Sequence, residues 1–154
     1  MANLINTTQR DNSNLVFTWT SLVLACLGIL DATYLLIYKL TNNNAMCLGN
    51  GGCHDVNFSP YSQIAGIPVS VFGLVAYLAM AVILLLESRL NFAKDNGPLA
   101  VFGISLAGTA FTVYLTWIEL YVIHKVCPFC VASAVIITLI FILAIIRLIK
   151  QTAY

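Results

Sequence analysis

A chain of 154 residues has the length of one domain, yet 60% of its residues are hydrophobic and only 8% are charged. No soluble fold of this size has enough interior to hide so much apolar surface, which leaves lipid as the solvent for most of it. The formal net charge of +1 argues against an electrostatic partner such as nucleic acid.

Residues 1–14 read as a polar, mobile cytoplasmic tail with no cleavable signal pattern, so the first span is expected to be retained. Four stretches then carry the roughly 20 apolar residues that a spanning helix needs: residues 16–38, 67–86, 99–123 and 128–149. The expected fold is an all-α integral membrane protein, a four-helix bundle over residues 15–150 with a short tail at 151–154. An outer loop at 40–66 starts with Asn and Gly turn chemistry and continues into a short helix capped by Ser59, with Pro60 in its first turn, lying across the bundle as a lid. A cytoplasmic loop at 87–98 ends in an Asn-Gly-Pro breaker. Spans three and four are joined only by His124, Lys125 and Val126, which makes them antiparallel neighbours. Gly103, Ala107 and Gly108 offer span three a small-residue face.

Orientation follows from the basic residues. With both termini cytoplasmic, Arg10, Arg89, Lys94, Arg147 and Lys150 lie inside and only Lys39 and Lys125 outside. That orientation puts four of the five cysteines on the outer face of a cell membrane, where disulfides persist.

Those cysteines carry the chemistry. Cys127-Pro128-Phe129-Cys130 opens span four, with Cys127 near the helix cap and Pro128 at the first helical position. The positive end of the helix dipole favours a thiolate there, and the three-residue separation puts both sulfurs on one face within bridging reach. A structural zinc site would need more ligands than His54 and His124 add, while a static disulfide stays open as a bland alternative. Cys47 and Cys53 enclose Leu-Gly-Asn-Gly-Gly, flexible enough to close as a disulfide or to turn to another partner; a static staple is again the plain alternative. Cys53 is nearer the lid and is the expected partner of Cys127, with Cys47 facing a soluble substrate. Cys26 reads as core packing.

Two acids lie within spans, Asp31 and Glu119. An ionised carboxylate there costs about 2.5–3.5 kcal/mol, so both are expected to face the bundle interior, as a proton relay or as neutral hydrogen-bonded ties. Ser59 is a candidate ligand donor or only a cap. Phe58, Phe72, Tyr77, Tyr114 and Trp117 are candidates to wall a flat aromatic ligand, or are packing and interface anchors. His54 beside Cys53 reads as a loop residue or as an aid to its neighbour's thiolate. Asn57-Phe58-Ser59 matches a glycosylation sequon, where a glycan would obstruct the lid.

The stretch Cys53-x-x-Val56-x-x-Ser59-x-Tyr61, with Gly66-Ile67-Pro68-Val69-Ser70-x-x-Gly73-x-x-x-Tyr77, resembles the vitamin K epoxide reductase family. So does Tyr114-Leu115-x-Trp117 leading into Cys127-Pro128-Phe129-Cys130. The resemblance implies a four-helix bundle around a quinone (menaquinone, ubiquinone or vitamin K type) as electron acceptor. It further implies a relay through both cysteine pairs, with Cys130 meeting the quinone and Ser59 on the lid beside it. Vertebrate members that reduce the epoxide carry Asn and Tyr where this chain has Val69 and Ala134. The expectation is therefore a thiol:quinone oxidoreductase that recharges a separate thioredoxin-fold, DsbA-like partner and so supports disulfide formation. An epoxide or quinone reductase driven by cellular thiols is the alternative within the family. DsbB-type enzymes place the CxxC in the first outer loop, the reverse of the order here. From another class comes a non-catalytic membrane scaffold stapled by disulfides.

Overall fold

The computed structural model describes residues 2–41, 52–87, 89 and 91–152, and among them the side chains of 15–41, 52–87, 89 and 96–151. Four helices are long and apolar enough to cross a membrane, in the segments Leu15–Thr41, Val69–Glu87, Asn96–Ile123 and Pro128–Gln151. They belong to α1 (Ala2–Thr41), α3 (Val69–Glu87), α4 (Asn91–Ile118) with the π-helical turn Glu119–Ile123 that extends it, and α5 (Pro128–Thr152). Between α1 and α3 lie a short helix α2 (Gly52–Asn57), a 3-10 turn (Pro60–Ser62) and a two-residue hairpin, β1 (Gln63–Ile64) and β2 (Ile67–Pro68). The hairpin is antiparallel, pairing Gln63 with Pro68 and Ile64 with Ile67. Its two turn residues, Ala65 and Gly66, have φ of 52° and 82°, the left-handed pair that tight hairpins require.

The bundle is a ring in which α1 packs on α3 and α5, and α4 packs on the same two. Each buried stripe follows helical spacing. On α1 it runs through Ser21, Ala25, Gly28, Ala32 and Leu35, and on α5 through Ile137, Ile140, Ala144 and Arg147. The small residues of α1 let α3 come close. Gly28 faces the Tyr77 ring so tightly that any β-carbon there would collide with it. Tyr77, Met80 and Leu84 of α3 meet Ala25, Ala32, Val101, Ile137 and Ile140 in one core cluster. The opposite faces carry exposed Trp19, Leu30, Val75, Val113 and Ile149, which lipid rather than protein must cover.

Several expectations give way here. Residues 2–14, expected as a polar tail, are helical and continue α1. The connection between α3 and α4 is shorter than expected because α4 starts at Asn91 and runs through Pro98. The tolerance of Gly97-Pro98 inside a helix has a local cause: Gly97 lies against the Glu87 carboxylate, where a side chain would not fit. Glu87 in turn pairs with Arg147 at 2.5 Å, both almost fully buried. Arg147 is thus no loose basic flank but half of an ion pair tying α3 to α5, which costs several kcal/mol to break from one side. Cys26 is exposed on α1, facing outward rather than packing in the core, because it falls about 100° round the helix from the buried Ala25.

Candidate active site

Cys127 immediately precedes α5, and Pro128 takes the first helical position. The Val131 amide donates to the Cys127 carbonyl at 3.1 Å, closing the first turn and carrying Cys130 one turn further in. Phe129 packs on Tyr34 of α1 with ring centroids 4.6 Å apart, which fixes the motif against the bundle.

The lid brings the second thiol. Cys53 stands not in an open loop but in α2, and is 2% exposed. Gly52 before it lies directly on the Val126 carbonyl; a β-carbon there would come within 2.6 Å of that oxygen. This glycine is what lets α2 dock on the connector to Cys127. Cys53 and fully buried Cys127 share a cluster with Leu35, Tyr38 and Val56, flanked by Ile123, Phe129 and Cys130. The Cys127 thiol is in hydrogen-bonding contact with both Cys130 and Cys53. Three sulfurs are therefore contiguous. Cys47 lies outside the described residues.

Lid closure has polar fasteners. Lys39 of α1 donates to Ser62 Oγ at 2.7 Å and to the Ser62 carbonyl at 3.2 Å. The Ser62 hydroxyl also contacts the Asn57 and Ser59 carbonyls. Ser59 precedes the 3-10 turn as expected, but its side chain does not cap that turn. Its hydroxyl donates back to the Val56 carbonyl at 2.8 Å. His54 stacks on Phe58 at 4.6 Å, and neither ring enters the bundle interior.

Glu119 is placed by the π-helical turn, whose wider coil ends at His124 in the left-handed region, φ 53°. The Lys125 amide donates to the Glu119 carbonyl at 3.2 Å, and the Cys127 amide reaches the Glu119 carboxylate at 3.5 Å. The same carboxylate hydrogen-bonds the Cys130 thiol. It is 4% exposed. One of the two intramembrane acids thus joins the cysteines. Asp31 does not: its Oδ2 is buried without a hydrogen-bond partner, close enough to Tyr77 to act on it electrostatically.

Hydrogen bonding sets the reactivity of Cys127. The Cys130 thiol donating to it is the largest influence and draws its pKa from the ordinary cysteine range down to about 7; burial opposes this, while Cys53 and the amides of Cys130 and Phe129 assist. A lowered thiol pKa means thiolate is present above the midpoint and is lost on acidification through it. Thiolate absorbance of the reduced protein, taken as the difference from Cys127→Ala, is expected to titrate near pH 7. A midpoint at or above about 8.5, the value of a free cysteine, would contradict this reading.

Beneath the lid a cavity of about 550 Å³ opens between α1, α3, α4 and α5. Its wall is mostly apolar, including Leu35, Phe72, Ile104, Phe111 and Leu115, and it takes in Cys130 and Glu119. Among the described cysteines Cys130 alone lines it; Cys127 is turned toward Cys53. Of the aromatic candidates, Phe72 and Tyr77 are in the wall, as is Ser59. Phe58, Tyr114 and Trp117 stand outside it and are each more than a third exposed. The Tyr77 hydroxyl is 3.0 Å from the carbonyl and the hydroxyl of Ser133, one turn beyond Cys130. Ser133, Asn57, Ser70 and Gly52 are wall or lid residues to which the sequence gave no site role, although Asn57 stood in the sequon and Ser70 in the stretch that carries the family resemblance.

Thiol-disulfide oxidoreductase LTO1 of Arabidopsis thaliana is 35% identical over 112 residues, covering 69% of this chain and 30% of that protein, so the chain spans about a third of its relative's length. The sequence pattern of the vitamin K epoxide reductase family matches residues 19–145, which reach into all four spans and include every described cysteine. This chain belongs to the vitamin K epoxide reductase family.

Proposed function

We propose that the protein is a thiol:quinone oxidoreductase, moving two electrons from a reduced dithiol outside the membrane to a quinone within it. The observation that carries this is the division of labour at the CxxC: Cys127 contacts Cys53, while Cys130 lines the cavity. The coarser statement, a membrane protein of a thiol-based redox family, stands on the spans and the family match.

The cavity fits the ring. Its volume is within the 300–1,000 Å³ usual for small-ligand sites, and apolar walls beside a thiol suit a flat hydrophobic oxidant. When bound, a quinone supplies an acceptor for two electrons and two protons. The chain's own steps are disulfide exchanges. A thioredoxin-fold protein of DsbA type attacks the Cys47–Cys53 disulfide through Cys47 and leaves both as thiols. Cys53 thiolate then attacks Cys127 in the Cys127–Cys130 disulfide, breaking that bond and releasing Cys130 as thiolate. Cys47 attacks Cys53 in the transient Cys53–Cys127 disulfide, restoring Cys47–Cys53 and freeing Cys127. Closure of Cys127 with Cys130 gives up the electron pair and two protons, and Glu119, bonded to Cys130, is the group placed to take one. The excess of basic residues at the end opposite the cysteines supports cytoplasmic termini and an outward-facing relay.

Fully reduced protein mixed with a short-chain quinone in detergent tests the reading. Two thiols lost per quinone consumed is the expected result. Quinone that stays intact, or is consumed without thiol loss, contradicts it. Val69 favours this reading over reduction of an epoxide, because it lines the cavity without offering it a polar group, and Ala134 is apolar and outside the lining.

A further inference from the structure

Burial narrows the donors that could hold a quinone ring, an argument that rests on the quinone reading above; Tyr61 and Thr116 also line the wall but are not among its buried unpaired atoms. Most polar side chains of the cavity wall are already committed. Ser59 donates to the Val56 carbonyl, Ser62 is held on Asn57 and Ser59, Thr112 donates to the Thr109 carbonyl, and Tyr77 is paired with Ser133. Glu119 is engaged with the CxxC motif. Two buried side-chain atoms in the described wall have no partner: Asn57 Nδ2 and Ser70 Oγ.

Their positions are not accidents of loose packing. Asn57 closes α2 and is 7% exposed, and its carbonyl is gripped by Ser62, which Lys39 anchors to α1. Ser70 is in the first turn of α3. A buried amide with no acceptor is costly to retain, so folded proteins pair such groups or aim them at a ligand or a water. Both atoms can donate, and quinone carbonyl oxygens only accept. We propose that Asn57 Nδ2 and Ser70 Oγ are the hydrogen-bond donors that orient the quinone's carbonyls in the cavity, beside Cys130. Asn57 sits on the same short helix as Cys53, so the exchanging thiol and the ring-orienting amide move with one lid element.

Equilibrium binding of two probes tests this without turnover: menadione, and 2-methylnaphthalene, which has the same fused rings and no carbonyls. Reduced Cys130→Ser protein is used as the background so that no electrons pass. That background is expected to prefer menadione, and Asn57→Leu or Ser70→Ala to reduce the preference about tenfold or less while hydrocarbon binding holds. Ser70→Ala removes one oxygen and guards against misfolding of the Asn57 variant. A misfolded cavity would weaken both probes together. An unchanged preference in both variants overturns the assignment alone and leaves those atoms to water. Failure of the background protein to bind menadione at all overturns the quinone reading and the assignment with it.

Discussion

Replacing Cys130 with serine is expected to slow quinone-coupled thiol loss by about three orders of magnitude or more, because it removes the only described sulfur in the cavity wall. Cys127 cannot substitute. It is fully buried, packs with Cys53, Leu35, Tyr38 and Val56, and shows the cavity no surface. The variant keeps a hydroxyl of similar size, so the helix start and the Phe129–Tyr34 packing should survive. Single-turnover mixing with a short-chain quinone, with thiols counted by quenched alkylation, is the measurement. A rate within tenfold of the unsubstituted protein would mean electrons leave by another sulfur.

Glu119→Gln is expected to be the second-largest effect, a loss of about a hundredfold in the same single-turnover rate. The carboxylate touches both ends of the CxxC motif, the Cys127 amide at 3.5 Å and the Cys130 thiol. Closing the disulfide strips a proton from Cys130, and a bonded carboxylate takes it where a carboxamide cannot. Glutamine preserves size and hydrogen bonding, so the π-helical turn should persist. Asp31→Asn is the internal comparison: Asp31 is not among the residues lining the cavity and does not contact the described cysteines, so its replacement should cost much less. A Glu119→Gln rate within threefold of normal, or equal losses for the two variants, would remove Glu119 from the chemistry.

The two acids show how far the sequence reaches. Their intramembrane location was legible from the apolar runs around them, and so was the inward-facing requirement. Which acid meets the cysteines was not, because it depends on a π-helical turn, one residue of extra winding that leaves no pattern in composition. The four spans were legible for the same reason the acids were: lipid demands long apolar helices. Cys127, Pro128 and Cys130 were legible because a proline at the first helical position fixes where the helix begins.

The aromatic residues were legible only as a choice between pocket wall and packing or interface anchor. Lipid solvates the outer face of a spanning helix, so an apolar run does not say which aromatics turn inward, and Trp117 and Tyr114 are exposed. Cys26 was misplaced by the same ambiguity. The lid was only half legible. Glycine and asparagine read as open turn, yet Gly52 starts a helix because it alone can lie on the Val126 carbonyl. That close approach seats Cys53 on Cys127, and it is a tertiary fact.

The relay stands or falls on whether Cys53 and Cys127 exchange. The decisive measurement uses Cys47→Ser/Cys130→Ser, which keeps one thiol of each pair, under mild oxidation with peptide mapping of the product. Near-complete closure to a Cys53–Cys127 disulfide in the monomer is the predicted result. Recovery of both as alkylated thiols under conditions that oxidise the unsubstituted protein would contradict the account.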